Sequence, residues 1–182
     1  MNFQINFRQL KKEDAQFVND LRQIEQMEEL IVGNKRPISY ERDLKWVNDL
    51  ISAGNPQIIY YAVTTVNNDD IIGYISISDI DYENETCSFG GLKIGPGNSG
   101  KGLGTESTLK LIKYVFEELK MERCKALCLE HHDASLRMLE KAGFKKEGLI
   151  RCSAYKQGKH VNQWLLSVIR EDYLEIKNIY DL

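Results

Sequence analysis

Cysteine is scarce in this chain, and its four occurrences, Cys87, Cys124, Cys128 and Cys152, are too few and too scattered for a disulfide scaffold. Cys124 and Cys128 stand four apart in a β-rich run and read as two reduced core thiols on one strand face. Zinc would need more ligands than that C-x3-C provides, even with His131 and His132 just beyond it, so no metal is expected. Long apolar runs are missing as well, and nothing approaches the ~20 residues of a membrane span. The opening MNFQINFRQL has neither the basic nor the apolar region of a signal peptide. A soluble, cytoplasmic protein with no membrane partner is therefore expected. Excess positive charge is absent too: 24 Lys and Arg against 27 Asp and Glu give a formal net charge of −3. No nucleic-acid partner is expected, because counterion release requires a basic surface. There is no internal repeat, low-complexity tract or linker. A hydrophobic content of 42% and a charged content of 28% exclude disordered and fibrous classes. At roughly 150 residues per domain, 182 residues make one domain with a sizeable core.

What is present is organised by periodicity. Phe3, Ile5 and Phe7 alternate with polar residues and predict an opening strand. Phe17, Leu21 and Ile24 mark a helix that ends at the Gly/Pro break of residues 31–37. Ser39 reads as an N-cap for a second helix carrying Leu44, Val47, Leu50 and Ile51, closed at residues 53–56. Residues 58–66 and 71–80 predict an antiparallel hairpin around a polar turn at Asn67–Asp70, and a third strand runs from about Thr86 to Ile94. Leu109, Ile112, Val115, Phe116 and Leu119 predict a long amphipathic helix. A strand at 124–130 follows, then a short helix with Leu136, Leu139 and Ala142, closed by Gly143. Two strands, near 144–155 and 161–169, end the regular pattern, and residues 171–182 read as weakly helical at best. The class is α/β (α+β), with one central mixed, mostly antiparallel sheet of about seven strands and helices on both faces.

Glycine is abundant in one place only. Seven of the 13 glycines fall between Gly90 and Gly104, where average usage would put about one. The stretch KIGPGNSGKGLGTES (93–107) joins a strand to a helix, the context in which glycine lets backbone N–H groups approach a phosphate. One or two glycines would satisfy a plain tight turn; Gly100, Gly102 and Gly104 in alternation exceed that need. Gly95, Gly100 and Lys101 begin a Walker pattern, but Gly102 occupies the place of the hydroxyl that holds magnesium. Gly95, Gly97 and Gly100 match the dinucleotide fingerprint literally. The acid that should follow by ~20 residues is missing, however, and three antiparallel-type strands precede the loop.

A third pattern fits better. Ser99-Gly100-Lys101-Gly102-Leu103-Gly104, followed by HHDASLRMLEKAGFKKEGLIR (131–151), resembles the acetyl-CoA loop and the N-x-x-S-x-x-x-x-E-K-x-G-F segment of the GCN5-related N-acetyltransferase (GNAT) superfamily. The nearest flavour is the Rim-type ribosomal-protein N-terminal acetyltransferases, with spermidine and amino-sugar acetyltransferases also similar. The resemblance is strongest from Ile71 to Tyr173. Two departures are visible: Ser99 stands where Gln or Arg is usual, and His132 where Asn is usual.

The resemblance implies an acetyl-CoA-dependent N-acetyltransferase acting by direct transfer to a primary amine, either a protein N-terminus or a small molecule such as an amino sugar. Its alternatives are a polyamine acetyltransferase and a non-catalytic acyl-CoA-binding module. Leu92, Lys93 and Ile94 would lie by the thioester, with a Gly90–Gly91 bulge opening the strand there. Ser99, Gly100, Lys101, Gly102, Leu103, Gly104 and Thr105 would receive the pyrophosphate, and His132 and Ser135 the cofactor arm. Leu139 replaces the tyrosine that many relatives use as acid, and Ser135 matches the serine of Rim-type relatives. Phe89 takes the place of the strand Glu that often serves as base, which leaves Glu130, or a water chain to Asp81 or Glu83. Trp46, Tyr82 and Trp164 are candidates for the acceptor pocket, and Asn162 stands where Rim-type relatives carry Asp. The expected assembly is a monomer or homodimer.

Overall fold

In the computed structural model, which describes residues 2–32, 37–52 and 54–182, the alternating segments become one seven-stranded sheet. β1 (Ile5–Arg8), β2 (Ile59–Thr65), β3 (Asn68–Asp81) and β4 (Thr86–Ile94) form an antiparallel run. Three helices, α1 (Asp14–Gln23), α2 (Glu25–Glu29) and α3 (Tyr40–Ser52), lie between β1 and β2 in the chain. From β4 the chain crosses through a 3-10 turn (Pro96–Asn98) and α4 (Leu103–Glu117) to β5 (Arg123–Leu129), which runs parallel to β4. After α5 (Asp133–Lys141), β6 (Lys145–Lys156) and β7 (Lys159–Ile169) form a hairpin, and α6 (Arg170–Tyr180) closes the fold. The order across the sheet is β1-β2-β3-β4-β5-β7-β6.

Period-two burial assigns each face its helices. Val63, Ile75 and Ile77 point into a core shared with Leu109, Ile112 and Phe116 of α4, Leu139 of α5 and Tyr173 of α6. Their neighbours Ala62 and Tyr74 point the other way, against Val18 and Leu21 of α1 and Val47 of α3. The sheet is thus mixed, mostly antiparallel and covered on both faces, as the sequence predicts. Glu106 on α4 is buried and accepts the backbone N–H groups of Gln4 and Ile5, which ties the β1 edge to this helix.

Several expectations need adjustment. The tail is a regular 11-residue helix, not a weak one. Its propensity is overridden by tertiary contacts: Tyr173 stacks on Phe116 at 5.0 Å, and its hydroxyl donates to Glu117 at 2.6 Å. The Asp172 carboxylate also accepts the Ile169 N–H at 3.1 Å, capping the first turn. The first helical pattern breaks at Ile24, in extended conformation, into α1 and the short α2. Strand β3 begins at Asn68, inside the polar run expected to turn, and pairs there with Thr65, where β2 ends. Ser39 does precede α3, with its Oγ 3.4 Å from the Arg42 N–H. Of the two breaks read from glycine and proline, residues 33–36 and 53 lie outside the described residues.

The feature that positions the site is a parting of strands. β4 and β5 pair at only three rungs, Thr86–Arg123, Cys87–Cys124 and Ser88–Lys125. Beyond Ser88, β4 stays with β3 as far as Ile94–Gly73, while β5 stays with β7 as far as Leu129–Gln163. Each strand follows its other neighbour, and the sheet opens between them. The opening begins at a bulge: Phe89 pairs with Ile77 and Gly91 with Ser76, so Gly90 is the extra residue. Gly91 has φ 119°, and a Cβ on Gly90 would run into the Ser76 hydroxyl, so both positions require glycine.

Candidate active site

Two chambers meet where the strands part. The first, of about 570 Å³, runs between the end of β4, the glycine loop and α5. The second, of about 370 Å³, lies between β2, β3 and β4 on one side and the end of β5 on the other. Leu92, Lys93, His132, Ser135 and Met138 line both, so the two form one passage. From Phe89 onward the β5-facing edge of β4 has no ladder partner, and its backbone donors turn toward this passage.

The glycine loop supplies the outer end of the first chamber. Gly100 and Gly102 adopt φ 77° and 81°, conformations that non-glycine residues rarely take, and a Cβ at either would meet open space. Gly102 is the N-cap of α4 and provides no side-chain cap. The first helical bond runs from the Glu106 N–H to the Gly102 carbonyl at 3.1 Å. The N–H groups of Leu103, Gly104 and Thr105 therefore point out of a 15-residue helix at its positive end, an arrangement that suits an anion. Lys101 plays a different part: its exposed ammonium donates to the Gly97 carbonyl at 2.7 Å and braces the loop.

α5 forms the opposite wall. Ala134, Arg137, Met138 and Lys141 recur at helical spacing and share the face that lines the first chamber, while Leu136 and Leu139 face the core. Arg137 and Lys141 add two cations to this wall, and their spacing of three and seven residues from Ala134 was the available signal in the sequence. Ser135 is half-buried beside Cys128. Burial pushes the Cys128 thiol up, against the opposing pull of the Ser135 hydroxyl. His132 is half-buried at the start of α5, and burial, reinforced by the neighbouring His131, lowers its pKa from the usual imidazole value. The imidazole is neutral at pH 7.

α2 completes the passage from the other side. Lys93, almost fully buried on β4, donates to Glu28 at 3.0 Å. Lys156 and Gln157, at the β6–β7 turn, bond to the Glu28 carbonyl at 2.8 Å and to the Glu29 carboxylate at 2.9 Å. Met27 and Leu30 thereby face the first chamber, a contribution that a five-residue helix with no buried residue does not advertise in sequence.

Most of the residues singled out from sequence come together here. Leu92, Lys93, Ile94, Ser99, Gly100, Gly102, Gly104, Thr105, His132 and Ser135 all line the first chamber, and Trp46 lines the second. Leu103 instead packs its side chain into the core, leaving only its N–H at the loop. Tyr82 is exposed in the β3–β4 turn, remote from the parting of the strands. Trp164 sits on β7 between Cys128 and Leu149, under the Lys146 ammonium, and lines neither chamber. Glu130 faces a separate depression with His160 and Lys159, and its carboxylate accepts the Asn162 amide at 3.0 Å. Asp81 is committed to its own turn, accepting the N–H groups of Glu83 and Asn84 at 3.0 Å, and Glu83 is exposed in that turn. No Asp or Glu among the described residues lines either chamber. Neither Cys124 nor Cys128 belongs to a cluster able to hold a metal among the described residues, and both thiols are free and buried. No helix among those residues is long and apolar enough to cross a membrane.

Comparison with known proteins agrees with this arrangement. Residues 4–145 match the family model described as acetyltransferase (GNAT) domain. The uncharacterized N-acetyltransferase p20 of Bacillus licheniformis is 29% identical over 137 residues, 75% of each chain. The SPbeta prophage-derived uncharacterized N-acetyltransferase YokL of Bacillus subtilis strain 168 is 27% identical over 137 residues, again 75% of each. Among solved structures, spermidine N-acetyltransferase from Vibrio cholerae, in complex with CoA and spermine, superposes with a TM-score of 0.84. That match covers 94% of this chain and 98% of the other at 18% identity, and speaks to the fold.

Proposed function

The chain belongs to the GNAT acetyltransferase family, and on that premise we propose that it moves an acetyl group from acetyl-CoA to a primary amine, a protein N-terminus or an amino sugar, by direct transfer in a ternary complex. One observation carries this reading: a helix N-terminus with three free N–H groups and an unpaired strand edge open onto one passage, which continues into a second chamber.

The residues divide the work as follows. N–H groups of Leu103, Gly104 and Thr105 take the pyrophosphate, with Arg137 and Lys141 available to further phosphate charge on the α5 side. The unpaired edge of β4 near Leu92–Ile94 offers N–H donors to the negative charge that grows on the thioester oxygen. The acceptor amine enters from the second chamber, and attack requires its neutral form. His132, neutral at pH 7 and common to both chambers, takes the proton from the attacking nitrogen, a role for which Glu130 is placed outside the passage. The C–N bond forms and the C–S bond breaks. The Ser135 hydroxyl protonates the departing sulfur and recovers a proton from the His132 imidazolium, directly or through water, so the proton lost by nitrogen ends on the thiol. Acetyl-CoA serves as co-substrate without a metal, in the cytoplasm, in a monomer or homodimer.

The test is release of free CoA thiol from acetyl-CoA in the presence of a panel of primary amines, with the N-acetyl product identified by mass. Turnover on at least one amine supports the proposal. Tight CoA binding without turnover on any of them would instead favour a non-catalytic acyl-CoA-binding module, a reading that fits the lack of a carboxylate among the described residues lining the passage.

A further inference from the structure

The second chamber is lined by cations whose carboxylate partners are set behind its wall. Arg22 of α1 and Lys93 of β4 line it, and no Asp or Glu among the described residues does. The two carboxylates that partner these cations stand behind them. Asp43 of α3 has 2% of its side chain exposed and lies 2.9 Å from the Arg22 Nε. Glu28 of α2 holds Lys93 at 3.0 Å and does not line the chamber. His132, the remaining basic group of the wall, has its pKa lowered by burial and by His131 and is neutral.

Arg22 is also only partly used. A guanidinium has five N–H donors in a planar fork. Here Nε lies 2.9 Å from an Asp43 carboxylate oxygen, an ion pair without hydrogen-bond geometry, Cζ lies 5.5 Å from the Trp46 ring centroid, and among the described residues the outer nitrogens have no hydrogen-bond acceptor. Asp43 is held in turn by the Asn19 amide at 2.8 Å, so the ion pair backs the guanidinium where it lines the chamber beside the Trp46 ring. Trp46 and Tyr60 meet edge-on at 5.2 Å, and Tyr74 lies 6.3 Å from Trp46, its hydroxyl pushed up by burial and so kept as a neutral donor.

We propose, resting on the acetyl-transfer reading above, that the acceptor is a small amine that also carries an anionic group, a carboxylate or a phosphate, and that the outer nitrogens of Arg22 receive that anion. An extended polycation such as a polyamine meets the opposite arrangement: among the described residues lining the chamber its non-reacting ammonium groups would face two cations and no carboxylate.

The experiment uses matched acceptors with and without the anion: glucosamine 6-phosphate against glucosamine, phenylalanine against 2-phenylethylamine, and spermidine. Each is assayed by thiol release, and by calorimetric binding to the CoA-loaded protein, which needs no turnover. The anionic member of at least one pair is expected to exceed its partner at least tenfold in kcat/KM and in affinity, with spermidine below both. Which pair responds distinguishes phosphate from carboxylate. Arg22→Gln is expected to bring the ratio within that pair to about threefold or less. Because that change leaves Asp43 buried without its cation, the double variant Arg22→Gln/Asp43→Asn is measured beside it, with circular dichroism as the check on folding. Equal or better use of the neutral members or of spermidine overturns the inference, as does a ratio that survives in a folded Arg22 variant. Anion-selective binding with no thiol release on any amine would leave the inference standing and remove acetyl transfer. Turnover without anion preference would do the reverse.

Discussion

The two ends of the passage are built by opposite means. The glycine loop and the first turn of α4 come from one contiguous stretch and present backbone N–H groups, with Lys101 turned back onto Gly97. The second chamber draws Arg22, Trp46, Tyr60, Tyr74 and Lys93 from five different elements and presents side chains. A backbone site depends on conformation and tolerates change in its side chains. A side-chain site depends on charge and on the packing that aims it. Perturbations of shape should therefore damage the first most, and perturbations of charge the second.

The largest expected effect is at the loop. Gly102→Asp places a side chain at φ 81° and a negative charge at the mouth of α4. Two or three charge-assisted contacts at about 1.5–2 kcal/mol each correspond to a loss of CoA affinity of roughly 10³-fold. Calorimetry on a variant whose circular dichroism is unchanged measures it, and retained affinity would contradict the phosphate assignment. Ser135→Ala comes next: kcat should fall by about 10², the lower end of general-acid contributions, while CoA affinity holds. An unchanged kcat would take the leaving-group proton away from Ser135.

Asp43→Ala tests the chamber by its support. It strips the partner from the Arg22 guanidinium and from the Asn19 amide. One-sided loss of a buried pair costs ~3–5 kcal/mol, and with 23% of the Arg22 side chain exposed the expected loss of stability is about 2 kcal/mol. Acceptor KM should rise while CoA affinity stays within about twofold, a split that would not appear if the two ends were one rigid unit; denaturant melts and steady-state kinetics read both parts. The pH profile gives a smaller effect. The His132 pKa is lowered from 6.5, so the imidazole is neutral above that lowered value and protonates only as pH falls through it. The limb of kcat/KM lost on acidification should therefore have its midpoint below 6.5, and His132→Asn should remove that limb. Smallest of all, Lys101→Ala should change CoA affinity less than about threefold, because the ammonium is exposed and bonded to the loop itself.

The same contrast separates what was legible in the sequence from what was not. β4 begins and ends where its alternation does, Thr86–Ile94, because a strand's boundaries are set locally by β-branched and apolar residues running into glycine. The loop was legible for the same reason: its glycines and the helix they open are neighbours in the chain. α6 was not, since its stability comes from Tyr173 on Phe116 and from Glu117, more than fifty residues away. Among the aromatics, Trp46 reaches the chamber while Tyr82 and Trp164 do not. A large ring announces burial or contact but carries no sign of which sheet face, or which end of a strand, it will occupy. Glu130 shows this in a carboxylate: the end of β5 was readable, but its turn toward Asn162 and away from the passage is a matter of how β7 packs.

By itself the sequence determined the order of elements, the seven-stranded mixed sheet and the glycine loop that opens α4 at Gly100–Thr105, because each follows from short-range periodicity and from glycine's freedom at positive φ. Only the tertiary structure decided where β4 and β5 part and which charges line the second chamber. Parting depends on each strand holding to its other partner, and the cationic wall depends on Asp43 and Glu28 being folded behind Arg22 and Lys93, relations between residues far apart in the chain.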